Sequence, residues 1–328
     1  MSLKEYKSKF IDGVIELLWK QWSALGVAGH CEAKTEAILD LEALIAFSSF
    51  AARFDERLYD LILSWIVSNG NWVNIQRLKA LAKRGSFADD DSLRYMAGVV
   101  TQNGGRKWCA LGDVDQVNAN PRLLFVNPDG ASVSFVPHCD ELALKYGFKR
   151  TVLVLRNLVV KPSVDSTAAL LLRLRGLCGI SARADILAAL IDGRPKTTSE
   201  LSDWCGYTWK STNEALQELL ATGLLLEMRS SPRNCAYRLK DQAKFVGMIV
   251  PGGCESVNWV PIFEVICSVW KVISNPRIEM VSEDTIHGEI AGIQDKMKGR
   301  LAISGFDDVV NREGVVSFPA MVIKKYFD

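Results

Sequence analysis

Histidine is scarce in this chain. There are three, His30, His138 and His287, far apart and in no ligand spacing. His138-Cys139 would have to recruit Cys109 from a distance, and spacing alone assembles no metal site from them. The eight cysteines include no CxxC pair, so neither a zinc ribbon nor a redox dithiol is encoded. Several stand at apolar helical positions, which suits buried thiols in a reducing cytoplasm. Phosphate-cradling glycine loops are missing too: there is no GxGxxG and no GxxxxGK[ST], and the nucleophile elbow GxSxG is absent. Asp113 and Asp115, in GDVDQ, form a DxD pair of the kind that holds Mg²⁺ for nucleotidyl transfer. Asn118, Asn120 and Pro121 follow at once, however, and read as a polar turn. The expectation is a protein that is not an enzyme and carries no cofactor or metal.

Long apolar runs and a charge of one sign are lacking as well. Charged residues interrupt every apolar stretch well short of the roughly 18 residues a membrane span needs. The opening MSLKEYKSKF has no apolar core before a cleavage site, which argues against a signal peptide. A cytoplasmic protein with no membrane partner is expected. The formal net charge is +1, so any polyanion-binding surface has to be a local gathering of basic groups.

What is present is an ordinary folding composition, 48% hydrophobic and 23% charged over 328 residues, enough for two or three domains. The expected class is mainly α with small β elements, in several domains. These are a helical N-terminal region (1–100), a mixed connector (101–162), a central module (163–245) and a helical C-terminal region (246–328). Phe10, Val14, Leu17, Leu18 and Trp22 mark one apolar stripe, and Ile38, Leu41, Ile45 and Phe50 a helix from about Lys34 to Ala52. Asp55 is placed to cap a third helix and Ile75, Leu78 and Leu81 mark a fourth. In the connector, Leu123–Val126 and Ser132–Val136 flank Pro128-Asp129-Gly130 and suggest a small hairpin. Beyond the central module, Val257–Ile273 is a helix. Ile286, Ile290, Ile293, Met297 and Leu301 form a further stripe that suits either homodimerisation or a monomer's core.

The central stretch carries the functional argument. Ile186, Leu187, Leu190 and Ile191 supply a first helix that breaks at Asp192-Gly193-Arg194-Pro195. Thr198 or Ser199 caps a second, with Leu201, Trp204 and Cys205 inward. Gly206-Tyr207 is a tight turn. A third helix (about 208–222) buries Ala215, Leu216, Leu219 and Leu220, and Gly223 closes it. Leu224–Met228 and Cys235–Leu239 then read as two strands of a wing (about 224–239). This order is that of a winged helix-turn-helix, whose third helix enters the major groove. Lys210, Ser211, Thr212 and Asn213 are expected to face outward there, with Asn213 able to pair with adenine and Ser211 and Thr212 able to contact phosphate or base edges. Trp209 reads as a brace for the helix. Arg233 stands at the wing tip, flanked by Arg229 and Arg238. From Arg173 to Lys240 there are ten basic and seven acidic residues, net +3, and Glu214, Glu218 and Glu227 have to point away from DNA.

The run TTSELSDWCGYTWKSTNEALQELLATGLLLE resembles the winged-helix domains of MarR-like and ArsR-like transcriptional regulators. The resemblance implies that Lys210, Ser211, Thr212, Asn213 and Arg233 are DNA contacts, and that Arg173, Arg175 and Arg183 on the leading helices clamp the backbone. The cysteine pairs with which ArsR-like proteins sense metal have no counterpart, because Cys205 stands alone. A weaker echo, LYDLILSWIVSNGNWVNIQRLKALAKRG, runs helix, Asn-Gly, short helix, but its next helix opens with Asp89-Asp90-Asp91, which repels phosphate. It reads as a scaffold. The expected function is a transcriptional regulator bound to double-stranded DNA. The alternative is a scaffold that uses the same module on a protein partner, which an exposed Trp209 or Tyr207 would favour over a continuous positive face.

Overall fold

The computed structural model describes residues 3–28, 34–112, 120–127, 136, 138–155, 159–160, 162–163, 165–231, 234–249, 253–275, 277, 283–304, 306 and 317–327. The fold is mainly α-helical with a few short strands. Helix α1 (Leu3–Ala24) buries Phe10, Val14, Leu17, Leu18 and Trp22 as the stripe predicts. The Trp22 indole N–H donates to Ser48 Oγ at 2.9 Å. The second helix is shorter than its apolar spacing suggests. Asp40 accepts from the Ala43 N–H and starts α2 at Leu41 (Leu41–Ala51), while Ala37–Ile38 forms strand β1. Nearly all of α2 is buried, so it is a central helix that is enclosed on every side.

Helices α3 (Glu56–Asn69), α4 (Ile75–Arg84) and α5 (Asp90–Gln102) follow, each opened by a side-chain cap from Asp55, Asn74 and Asp89 respectively. In the connector, the described residues hold a different pairing. After the short α6 (Cys109–Gly112), β2 (Arg122–Leu123) pairs in parallel with β3 (Phe148–Lys149), which follows α7 (Glu141–Lys145). Ser132 to Phe135, on the far side of the expected hairpin, and Asp113 and Asp115 lie outside the described residues.

The central stretch contains α8 (Leu170–Cys178), α9 (Ala182–Ala189), β4 (Lys196–Thr197), α10 (Thr198–Cys205), α11 (Trp209–Ala221), β5 (Leu225–Ser231), β6 (Asn234–Leu239) and α12 (Gln242–Ile249). Strand β6 lies between β4 and β5, antiparallel to both. Strand β7 (Glu255–Ser256) pairs in parallel with β1. Helix α13 (Trp259–Ile273) buries Ile262, Phe263, Ile266, Val269, Trp270 and Ile273, and α14 (Glu283–Ile303) packs on it. Helix α15 (Phe318–Tyr326) packs against α1. One continuous hydrophobic core runs through all these segments. Phe47 of α2 stacks on Phe263 of α13 at 4.2 Å, and the Trp259 indole donates to the Ile38 carbonyl.

A buried ionic network joins the N-terminal helices to the central stretch. Glu42, fully enclosed, receives Arg77 Nη1 at 2.6 Å and both terminal nitrogens of Arg175 at 2.6 Å. Arg77 also reaches Asp40, and Arg175 reaches Asp185 at 2.9 Å. Burial alone would raise the Glu42 carboxyl. The charges of Arg175 and Arg77 and the Asn74 N–H outweigh it and hold the group down at about 2.

Candidate nucleic-acid interface

The turn between α10 and α11 is locked from three sides. Thr197, not Thr198 or Ser199, is the cap of α10: its hydroxyl accepts the Glu200 N–H while Glu200 accepts the Thr197 N–H, a complete capping box. The shift of one residue follows from β4, whose pairing with β6 keeps Thr197 extended. At the other end of α10, Gly206 takes φ +71. The Cys205 carbonyl next to it accepts from Arg77 Nε at 2.6 Å, and the Tyr207 hydroxyl donates to Asp185 at 2.7 Å while accepting from Asn74 Nδ2 at 2.9 Å. Helix α4 therefore holds the turn through the same network that encloses Glu42.

Thr208 caps α11 by accepting the Ser211 N–H. The helix points Ala215, Leu216 and Leu219 inward, and Thr212 is on that stripe, with a relative exposure of 0%. Thr212 is thus not an outward contact residue. It precedes Leu216 by one turn and Leu219 by two, and its hydroxyl is buried with no hydrogen-bond partner among the described residues. Ser211 is exposed and Asn213 half-buried. The Lys210 side chain, 84% exposed, stands 3.9 Å from Glu214. Trp209 is 56% exposed and braces nothing by burial. Arg183 pairs with Glu218 at 3.3 Å on the flank of the same helix. Basic and acidic groups alternate along this face, so it is not continuously positive.

On the hairpin, Arg229 and Arg238 are exposed, and Arg229 pairs with Glu227 at 2.8 Å. Arg233 lies outside the described residues. Of the three arginines expected to clamp a backbone, Arg175 cannot, because its guanidinium is sealed against Glu42 and Asp185. Arg173, half-buried, donates to the Ile249 carbonyl, and Arg183, also half-buried, donates to the Cys178 carbonyl and pairs with Glu218. In the upstream echo, the N-terminal end of α5 carries Asp89, which Arg53 and Arg122 both reach, and Arg122 extends to Asp91.

Sequence spacing brought Lys210, Ser211, Asn213, Arg229 and Arg238 to one module, and missed Asn74, Arg77 and Glu42, which set its orientation. The one signal for them was a charge, Arg77, between Ile75 and Leu78 on a helix face shared with Asn74 and Leu81. Among the described residues no three His, Cys, Asp or Glu side chains gather as a metal ion requires. Compared with known proteins, the chain matches no family model, no curated protein and no solved structure.

Proposed function

We propose that residues 182–240 form a winged helix-turn-helix of the MarR-like and ArsR-like kind that binds double-stranded DNA. The observation that carries this reading is the element order α9, β4, α10, α11, β5, β6, with β6 between the other two strands. A three-helix unit closed by such a sheet presents its third helix on one side and its hairpin beside it. Helix α11 enters the major groove by its first turn. There Lys210 and Ser211 meet phosphates, the amino end adds its backbone N–H groups, and Asn213 reads a base edge. Arg229 and Arg238, with Arg233 between them in sequence, contact the backbone alongside. A second copy places its own α11 about one DNA turn away, roughly 34 Å.

The test is fluorescence-anisotropy binding to random duplex DNA over a salt series, with Lys210→Ala and Arg238→Ala variants. Binding that weakens steeply with salt is expected, and each variant should lower the slope of log K against log salt by about 0.9. Absence of binding by folded protein at low salt defeats the proposal. A second reading has an observation in its favour. Exposed Trp209, with Glu214 and Glu218 on the same helix, suits a protein partner better than a polyanion. Under that reading Trp209→Ala abolishes partner capture, and the salt series shows nothing.

A further inference from the structure

The turn between α3 and α4 is fixed through its backbone. The Trp108 indole donates to the Gly70 carbonyl at 3.3 Å, Lys107 Nζ to the carbonyls of Asn71 at 2.6 Å and Val73 at 2.7 Å, and Arg175 Nη1 to that of Trp72 at 2.8 Å. Side chains from two other segments thus hold every carbonyl from Gly70 to Val73. Yet the Trp72 side chain on this turn is 37% exposed, with its Cη2 edge towards Gly176 of α8. A turn this firmly held that leaves an indole in water presents the ring, already ordered, to a partner. Its surroundings are basic. Arg106 and Lys107 are exposed on the 3-10 turn Arg106–Trp108. Neither has a carboxylate partner among the described residues, and the Lys107 ammonium keeps one N–H beyond its two carbonyls.

This surface is joined to α11. Asn74 Nδ2, two residues after Trp72, donates to the Tyr207 hydroxyl at 2.9 Å, and two residues after Tyr207 comes exposed Trp209, followed by Lys210. Two exposed indoles, one beside Lys107 and one beside Lys210, therefore lie along one strip. Paired bases are stacked within a duplex and offer an indole no free face, whereas unpaired bases do, and cations beside the rings suit the phosphates between them. We propose that the strip takes a single strand of nucleic acid continuing from the duplex on α11. One unpaired base stacks on Trp72 and another on Trp209, and phosphates lie against Arg106 and Lys107. These two cations supply positive charge that the mixed face of α11 lacks. The inference rests on the duplex-binding reading and names its substrate, a duplex with a single-stranded extension.

Fluorescence anisotropy on the full chain tests this with a blunt duplex, the same duplex bearing an oligothymidine tail at its 5′ or its 3′ end, and oligothymidine alone. One tail polarity should tighten binding about tenfold over the blunt duplex. Trp72→Leu, which keeps an apolar contact with α8 but has no flat ring, should remove that gain and leave blunt-duplex affinity and the circular dichroism spectrum unchanged. Arg106→Gln, an exposed change, should lower the slope of log K against log salt by about 0.7 for the tailed duplex only. Equal affinity of wild type for blunt and tailed duplexes would overturn this proposal and leave the duplex reading standing, as would a tail gain that survives in Trp72→Leu. Oligothymidine binding that depends on Trp72, without blunt-duplex binding, would keep the strand site and overturn the duplex reading. Binding of none of the probes overturns both.

Discussion

Glu42 shows how a single carboxylate can hold distant parts of this chain together. It is enclosed on every side, yet stays ionised because Arg77 and Arg175 reach it at 2.6 Å. Glu42→Gln keeps the shape and removes the charge, leaving two buried guanidiniums short of a counter-ion. Loss of about 3–5 kcal/mol is expected, read as a lower urea midpoint. The pH dependence has a definite sign. The folded group is held at about 2, below its ordinary 4.5, so its contribution is complete above pH 4.5 and is lost as pH falls towards 2. The stability difference between wild type and variant should therefore shrink across that window. If it stays constant, Glu42 is not the titrating group. Thr212 makes the opposite case. Its buried hydroxyl has no partner among the described residues, so Thr212→Val should raise stability by about 1 kcal/mol and leave duplex binding unchanged. Weaker DNA binding by a stable Val variant would restore Thr212 as a contact.

At the scale of elements, the α10–α11 turn is set by backbone conformation as much as by side chains. Gly206 is left-handed at φ +71, and a Cβ there would come within 2.7 Å of Leu81 Cδ2. Leu81 can yield, so most of the penalty for Gly206→Ala is conformational, about 1–2 kcal/mol, measurable in thermal or urea unfolding. A neutral result would mean that the turn relaxes without cost. This turn also marks how far the sequence could be read. The helices α1, α3, α4, α9 and α13 were legible because a repeat of three and four residues is a local signal that burial follows faithfully. So were the Asp55 cap and the terminating Gly223. The pairs β1–β7 and β2–β3 were not, because a strand of two residues has no period and its partner is far along the chain. The same lack hid β4, and with it the shift of the α10 cap to Thr197. On α11, helical spacing put Lys210 and Ser211 outward, as they stand, while Asn213 is half-buried. The same spacing put Thr212 on the wrong side because a polar residue in a run of polar residues gives no hint that it is one turn before Leu216.

At the scale of the whole molecule, the central stretch is tied to the helices around it. Its turn leans on α4, Arg175 shares Glu42 with Arg77, and one hydrophobic core includes residues of α2, the central stretch and α13. Breaking any of these contacts strips partners from buried charges, so local opening of the central stretch costs nearly as much as opening the helices around it. The chain should therefore unfold in urea as one transition, with tryptophan fluorescence and far-ultraviolet circular dichroism coincident, despite its length. A fragment of residues 165–249 sharpens the argument. It keeps α8 to α12 and the Arg175–Asp185 pair, but loses Glu42, Arg77, Asn74 and Leu81 from around the turn. Helical dichroism should survive in part, with weak near-ultraviolet signal and a broad thermal transition. A fragment that unfolds sharply at the midpoint of the full chain would mean that the network merely fastens two self-sufficient units. The low-salt anisotropy titration should then be run on the fragment too, since a self-sufficient module would show the proposed DNA binding without the N-terminal helices.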